Sequence, residues 1–204
     1  MCWFLLEGST AKNEIHKTLP YNPITQDTKK GKLRFYKYHP EVGSTCNYGA
    51  LPQTWEDPDF RNKDTQRGGD NDPIDVLQIN PRPCHVGEVY RVRVLGVLAL
   101  LDDDETDWKL IVVDEADPTT AAYRDIGDVP KEKVDALREW FRMYKTAEGK
   151  GENKFGLGER AMPRDYAQAA IEETHEAWKK LAAPGKKNTC SFQDGPCWLR
   201  PGAP

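Results

Sequence analysis

Hydrophobic positions along this chain follow two patterns. Between 31 and 114 they come in short strand-length runs broken by Gly, Pro, Asn and Asp, and after Pro130 they recur at helical spacing. The stretch "GKLRFYKYHPEVGSTCNYGALPQTW", residues 31–55, mixes aromatic residues with turn formers and predicts β structure with several turns. A polar loop over 56–69 leads into the strand-like "PIDVLQI". Beyond "NPRPCHVGE", the run "VYRVRVLGVLALL" first alternates and then turns apolar on both faces, as in a strand exposed at one end and buried at the other. "DDDET" reads as a turn and "DWKLIVVD" as a returning strand, so 89–114 predicts a β-hairpin.

Helix begins late. Asp128 offers a cap and Pro130 suits a first turn; Val134, Leu137, Phe141 and Tyr144 then recur at helical spacing, and Gly149 follows the end. A second helix is expected over about 165–182, with Ala169, Ile171, Thr174, Ala177, Trp178 and Leu181 as its apolar positions. Both helices are expected to cover a barrel or sheet. From Pro184 onward turn formers dominate without periodicity, so the division expected is one domain over 1–183 and a flexible tail over 184–204.

A length of 204 residues suits a single domain with a substantial core. With 30% charged residues and a net charge of −4, the chain is mildly acidic, which argues against nucleic-acid binding as its main work. No apolar run approaches the ~20 residues needed to span a bilayer, so no membrane association is expected. Five cysteines, Cys2, Cys46, Cys84, Cys190 and Cys197, show no metal-ligand spacing, and their odd number fits reduced thiols. "MCWFLL" is too short for a secretory signal. Cytoplasm is the compartment expected, with mitochondrion or plastid as the alternative.

The chemistry concentrates in "GGDNDPIDVLQI", which places Asp70, Asp72 and Asp75 within six positions at the start of an apolar strand. Turn formation accounts for one or two of them. A third costs stability unless something positive lies among them. In the hairpin, Asp102 and Asp107 flank a four-residue loop and are expected roughly opposite each other, with Lys109 on the face of Asp107. Carboxylates from separate short loops select hard cations, Mg²⁺ above all, with Ca²⁺ the nearest competitor. The EF-hand arrangement is excluded: counting from Asp70 puts Asp75 where Gly is required and Pro81 where the final Glu should stand. Several metal ions would suit a highly charged anion, with basic and phenolic groups on the opposite wall. Lys12, Arg34, Lys109, Lys145, Tyr48 and Tyr144 are the candidates. There is no P-loop.

"GDNDPIDV" resembles the signature of the soluble family I inorganic pyrophosphatases. "NPITQDTKKGKLRF", "NYGALPQTWEDP", "LLDDDETDWKLI", "EWFRMYK", "GKGENKFG" and "THEAWKKL" resemble the animal and fungal branch in family order, from about Ala11 to Leu181. The resemblance implies an OB-like five-stranded β-barrel flanked by helices, an α+β fold whose amino-terminal strand is the one place where it could be incomplete. It also implies Mg²⁺-dependent hydrolysis of pyrophosphate to two orthophosphates, and a homodimer. Asp70, Asp75 and Asp107 would hold the tighter metals, and Asp72 would orient or deprotonate the attacking water. Asp102 with Asp107, and Glu14, would serve metals arriving with substrate. Arg34, Tyr144 and Lys145 resemble the phosphate-binding residues, and Lys12, Tyr48 and Lys109 those around the leaving or attacked phosphate.

Two positions depart from that pattern. A catalytic Glu eight residues before the lysine is replaced by Phe4, with Glu7 the only nearby acid, and a tyrosine after Gly43 is replaced by Ser44. These changes keep one alternative in play, a catalytically weak relative that binds metal-pyrophosphate or a protein partner; an OB-like barrel permits a second, a nucleic-acid binder, against which the charge balance and the acidic site count.

Overall fold

A computed structural model describes residues 1–16, 19, 22–39 and 41–183; the expected tail over 184–204 lies outside the described residues. Among the described residues the fold comprises twelve short or medium strands, two α-helices and four single-turn 3-10 helices. The strands are β1 (Cys2–Leu5), β2 (Asn13–Ile15), β3 (Ile24–Gln26), β4 (Thr28–Lys29), β5 (Lys32–Leu33), β6 (Asn47–Ala50), β7 (Gly68–Gly69), β8 (Asp75–Gln78), β9 (Val92–Asp102), β10 (Glu105–Asp114), β11 (Lys154–Phe155) and β12 (Met162–Pro163). The helices are α1 (Lys131–Met143) and α2 (Arg164–Ala182). The main sheet runs β1-β6-β8-β10-β9-β11, with β12 also on β9 and β7 on β10. Among the described residues β1 and β11 do not pair, so the barrel expected from the family resemblance is open.

Alternation along β10 sorts the core into two layers. Leu110 and Val112 point to one face, where Val76, Val97, Ala167 and Ala170 join them beneath α2. Ile111 and Val113 point to the other, where Leu77, Leu98 and Leu100 meet Leu137, Trp140 and Phe141 of α1. A period-two strand buried on both faces reads as a continuous apolar run, which is why 110–113 shows no polar face. A bulge sets Ile111 opposite Gly96 and Val112 opposite Val94, leaving Leu95 as the extra residue and shifting which residues of β9 face inward.

Several local expectations are corrected. The hairpin loop is the two-residue turn Asp103–Asp104, with Asp103 at φ 52°, so Asp102 pairs with Glu105 and Asp107 with Leu100. Asp102 and Asp107 therefore share a face without being opposite. Asp128 does not cap α1: Pro130 stands at that position, and the Asp128 carboxylate accepts from the backbone N–H groups of Arg124 and Asp125. α1 ends at Met143, and Gly149, at φ 82°, closes a separate turn after it. In α2 the buried positions are Ala167, Ala170 and Thr174, because small residues let the helix lie close to β9. The larger Trp178 and Leu181 are only partly buried.

The amino-terminal edge of the sheet is occupied. β1 pairs antiparallel with β6, and on its outer side the Gly87 N–H donates to Trp3 O at 2.8 Å. No helix among the described residues is long and apolar enough to cross a membrane.

Candidate active site

The site grows from the parallel pairing of β8 with β10, which sets Asp75 beside Lys109 in register. Both strands are already committed to the α1 face through Leu77 and Ile111, two residues further on. Period two therefore brings Asp75, Lys109 and Asp107 onto that same face at its open end. Tyr48 of β6 completes the group: its hydroxyl donates to Asp75 Oδ2 and accepts from Lys109 Nζ at 3.2 Å. Lys109 also pairs with Asp75 and reaches both oxygens of Asp107, at 2.7 and 2.6 Å. Only 3% of Lys109 is exposed, so this ammonium is a buried charge neutralised by two carboxylates. The expectation that Lys109 stands on a wall opposite the acids is corrected: it sits between two of them.

"GGDNDP" forms a close turn. Asp70 Oδ1 accepts from the Asp72 N–H at 2.9 Å, and Asn71 takes φ 66° with its side-chain oxygen accepting from Trp55 Nε1 at 2.9 Å. Gly69 lies so near Glu56 that an added Cβ would stand 2.3 Å from its carbonyl carbon. That contact delivers Glu56, a residue the sequence reading did not single out. Glu56 Oε1 accepts from the Trp108 N–H at 2.8 Å, while its buried Oε2 has no partner. The carboxylates of Glu56, Asp70 and Asp107 offer ligand oxygens within 4.8 Å of one another. The available signal was the doubled glycine, which marks a close backbone approach.

These carboxylates resist ionisation. Burial, reinforced by the charges of Asp70 and Asp107, raises Glu56 well above the ordinary carboxylate range. Burial, with the charges of Asp107 and Asp72, does the same to Asp70. Burial pushes Asp75 up to about 7 against the pull of Lys109, and it raises Asp107 against the same pull. Burial works to lower Lys109, but Asp107 and Asp75 outweigh it and hold the ammonium protonated. Crowded acids facing an unpartnered buried oxygen form a set of hard donors, and the oxygens fit a divalent cation.

One cleft gathers most of the predicted residues. Asp70, Asp72, Asp75, Asp102 and Asp107 line it together with Lys12, Glu14, Tyr48, Lys109 and Tyr144. Lys12 pairs with Glu14. Lys145 lies just beyond the end of α1 and pairs with Asp102. Arg34 stands outside the lining, its guanidinium on Asp27 at 2.7 Å and Glu148 at 3.2 Å. Tyr36, absent from the sequence reading, also faces the cleft. Phe4 contributes an apolar wall, packed edge-on against Tyr48 at 5.0 Å. Glu7 is exposed and does not line the cleft, so it does not take Phe4's place. Ser44 turns away, donating to Cys46 O at 2.7 Å.

A sequence model of the family described as inorganic pyrophosphatase matches residues 5–179. The inorganic pyrophosphatase of Kluyveromyces lactis is 51% identical over 177 residues, covering 85% of this chain and 62% of its own length. That of Mus musculus is 49% identical, with 85% and 61% covered. The chain thus spans about three-fifths of the length of these curated relatives. Among solved structures, the inorganic pyrophosphatase of Schistosoma japonicum superposes with a TM-score of 0.86 at 41% identity, covering 91% of this chain and 68% of that one. A truncated vacuolar soluble pyrophosphatase of Trypanosoma cruzi, solved with PPi, gives 0.83 at 42% identity, with 88% and 68% covered.

Proposed function

Since this chain belongs to the inorganic pyrophosphatase family, we propose that it hydrolyses pyrophosphate to two orthophosphates with Mg²⁺. The observation that carries the reading is the cluster of Glu56, Asp70 and Asp107, with the partnerless buried oxygen of Glu56, in contact with a cleft that also holds lysines and tyrosines. Family membership supports a divalent metal, and all-oxygen donors with room for a charged substrate favour Mg²⁺. Asp70, Asp75 and Asp107 would hold it, with Glu56 beside them, and Asp102 and Glu14 would bind further ions accompanying the substrate. Bound there, the metal supplies charge neutralisation and a more acidic water.

The chain's own groups do the rest. Asp72, on the cleft wall, would orient or deprotonate the attacking water. Lys109, shared between Asp75 and Asp107, lines the cleft with the Tyr48 hydroxyl beside it and would bind a phosphate oxygen there. Lys12, Arg34, Tyr144 and Lys145 bind the phosphates, so positioning and charge compensation provide most of the rate, as phosphoryl transfer requires. The three described cysteines, Cys2, Cys46 and Cys84, are free thiols, which supports a reducing compartment such as the cytoplasm.

Phe4, set in the cleft wall, supports a second reading, a relative that binds metal-pyrophosphate with little turnover. Orthophosphate release from pyrophosphate, measured with Mg²⁺ and with EDTA, separates the two. Fast release that EDTA abolishes supports the enzyme. Binding of Mg²⁺-pyrophosphate by folded protein without release overturns hydrolysis in favour of the second reading.

A further inference from the structure

Asp27 joins two cations, Lys12 and Arg34, that flank the β2–β5 segment in sequence and pair side by side in the fold. Its backbone N–H donates to Lys12 O at 2.8 Å, its carbonyl accepts from the Arg34 N–H at 2.8 Å, and the Lys12 N–H donates to Arg34 O at 3.2 Å. The side chain bonds Arg34 directly, with Oδ2 2.7 Å from Nη1, and faces Lys12 as a second carboxylate, 3.8 Å from the Nζ that Glu14 also holds. Glu148 holds only Arg34, through Nη2 at 3.2 Å. Asp27 itself is about one-third exposed and lies in a groove that shares Glu14 and Asp72 with the cleft.

We propose that Asp27 is a positioning residue that couples Lys12 and Arg34 into one two-pronged phosphate-binding unit, an inference that rests on the phosphate-binding roles assigned to those two residues above. Lysine and arginine side chains are rich in rotamers, and a shared carboxylate limits the arrangements each can adopt before substrate arrives. Simple electrostatics predicts the opposite outcome. An anion beside two cations lowers their pull on phosphate, so deleting it should tighten binding if charge alone counted. The two accounts differ in sign, which makes the role testable.

Three measurements apply to the full chain with saturating Mg²⁺: the KM and kcat for pyrophosphate, the dissociation constant of orthophosphate by equilibrium dialysis, and a Lys12→Gln/Arg34→Gln double-mutant cycle. Asp27→Ala should raise KM and the orthophosphate constant about tenfold while kcat stays within about threefold, since positioning acts on ground and transition states alike. Asp27→Asn keeps an acceptor for Arg34 and should recover most of the loss. The Lys12–Arg34 coupling should vanish in the Asp27→Ala background, an effect that general destabilisation would not produce. If Asp27→Ala fails to fold, the near-isosteric Asn variant carries the test with an expected rise of about threefold. Unchanged or tighter orthophosphate binding overturns the role of Asp27. If the wild-type chain shows no Mg²⁺-dependent release, the reading of the reaction fails by itself, and the orthophosphate constants still decide the case for Asp27. No orthophosphate binding by the wild-type chain overturns both.

Discussion

The two faces of β10 are almost equally buried and do opposite work. Toward α2 the strand presents Trp108, Leu110 and Val112, an apolar row that packs on Val76, Val97 and Ala167. Toward α1 it presents Val113 and Ile111 and then, without any change of conformation, Lys109 and Asp107. The first face contributes stability along its whole length. The second does so for half its length and then gives up apolar packing for charges that only a counterion or a partner charge makes tolerable. Stability and chemistry are thus separated by strand parity on one side and by position along the strand on the other.

Substitutions that cross this division should dissociate activity from stability. Asp75→Asn has the largest expected effect: a fall in turnover of at least about a hundredfold, because a carboxylate proposed to hold the metal, beside Lys109 on the neighbouring strand, is lost. Circular dichroism should show an intact fold, since Lys109 keeps Asp107 at 2.6 Å. Near-normal turnover in that variant would erase the distinction between the two halves.

Leu110→Ala tests the other face. It should cost about 2–5 kcal/mol in denaturant unfolding through the cavity it leaves, with kcat per folded molecule little changed. A kcat loss as large as that of Asp75→Asn would mean the apolar face also shapes the site.

Glu56→Gln sharpens the border between the faces, since Glu56 accepts from the Trp108 backbone N–H and its carboxylate clusters with those of Asp70 and Asp107. About tenfold weaker Mg²⁺ affinity by calorimetry is expected, with unfolding little affected. Unaltered metal affinity would remove Glu56 from the cluster.

The mildest effect is on pH dependence. Burial raises Asp75 to about 7 in the folded chain, above the unfolded value near 3.9, so between those limits the folded state binds more protons than the unfolded. Stability from this group is full below about pH 4 and is lost as the pH rises through about 7. The metal-free chain should therefore melt a few degrees lower at pH 8 than at pH 5, and saturating Mg²⁺ should remove the difference. A melting temperature that rises with pH in EDTA would contradict this account.

Much of the division was legible from the order of residues. Asp70, Asp72 and Asp75 at the head of an apolar run, and Lys109 two positions after Asp107, follow from period two and from the cost of crowding like charges. The hairpin and both helices also appear in the pattern, because runs of that length have few other ways to bury apolar groups. Glu56 escaped because its contact with Asp70 and Asp107 is made across sequence distance, through the close pass of Gly69 against the chain. The Asp102–Asp107 spacing was misjudged because a two-residue turn needs a residue at positive φ, which Asp103 supplies and composition alone does not announce.

By itself, then, the sequence determined the strand after Pro73, the 89–114 hairpin and the two helices, and that its crowded acids need a positive charge among them, since hydrophobic periodicity and charge repulsion act over a few residues. Tertiary structure alone decided that β8 lies parallel beside β10, that Lys109 is buried between Asp75 and Asp107, and that Phe4 walls the cleft in place of an acid. It also paired Arg34 with Asp27 and Glu148, outside the cleft lining. Those outcomes depend on register between strands far apart in the chain, and register is set by the burial of a whole face.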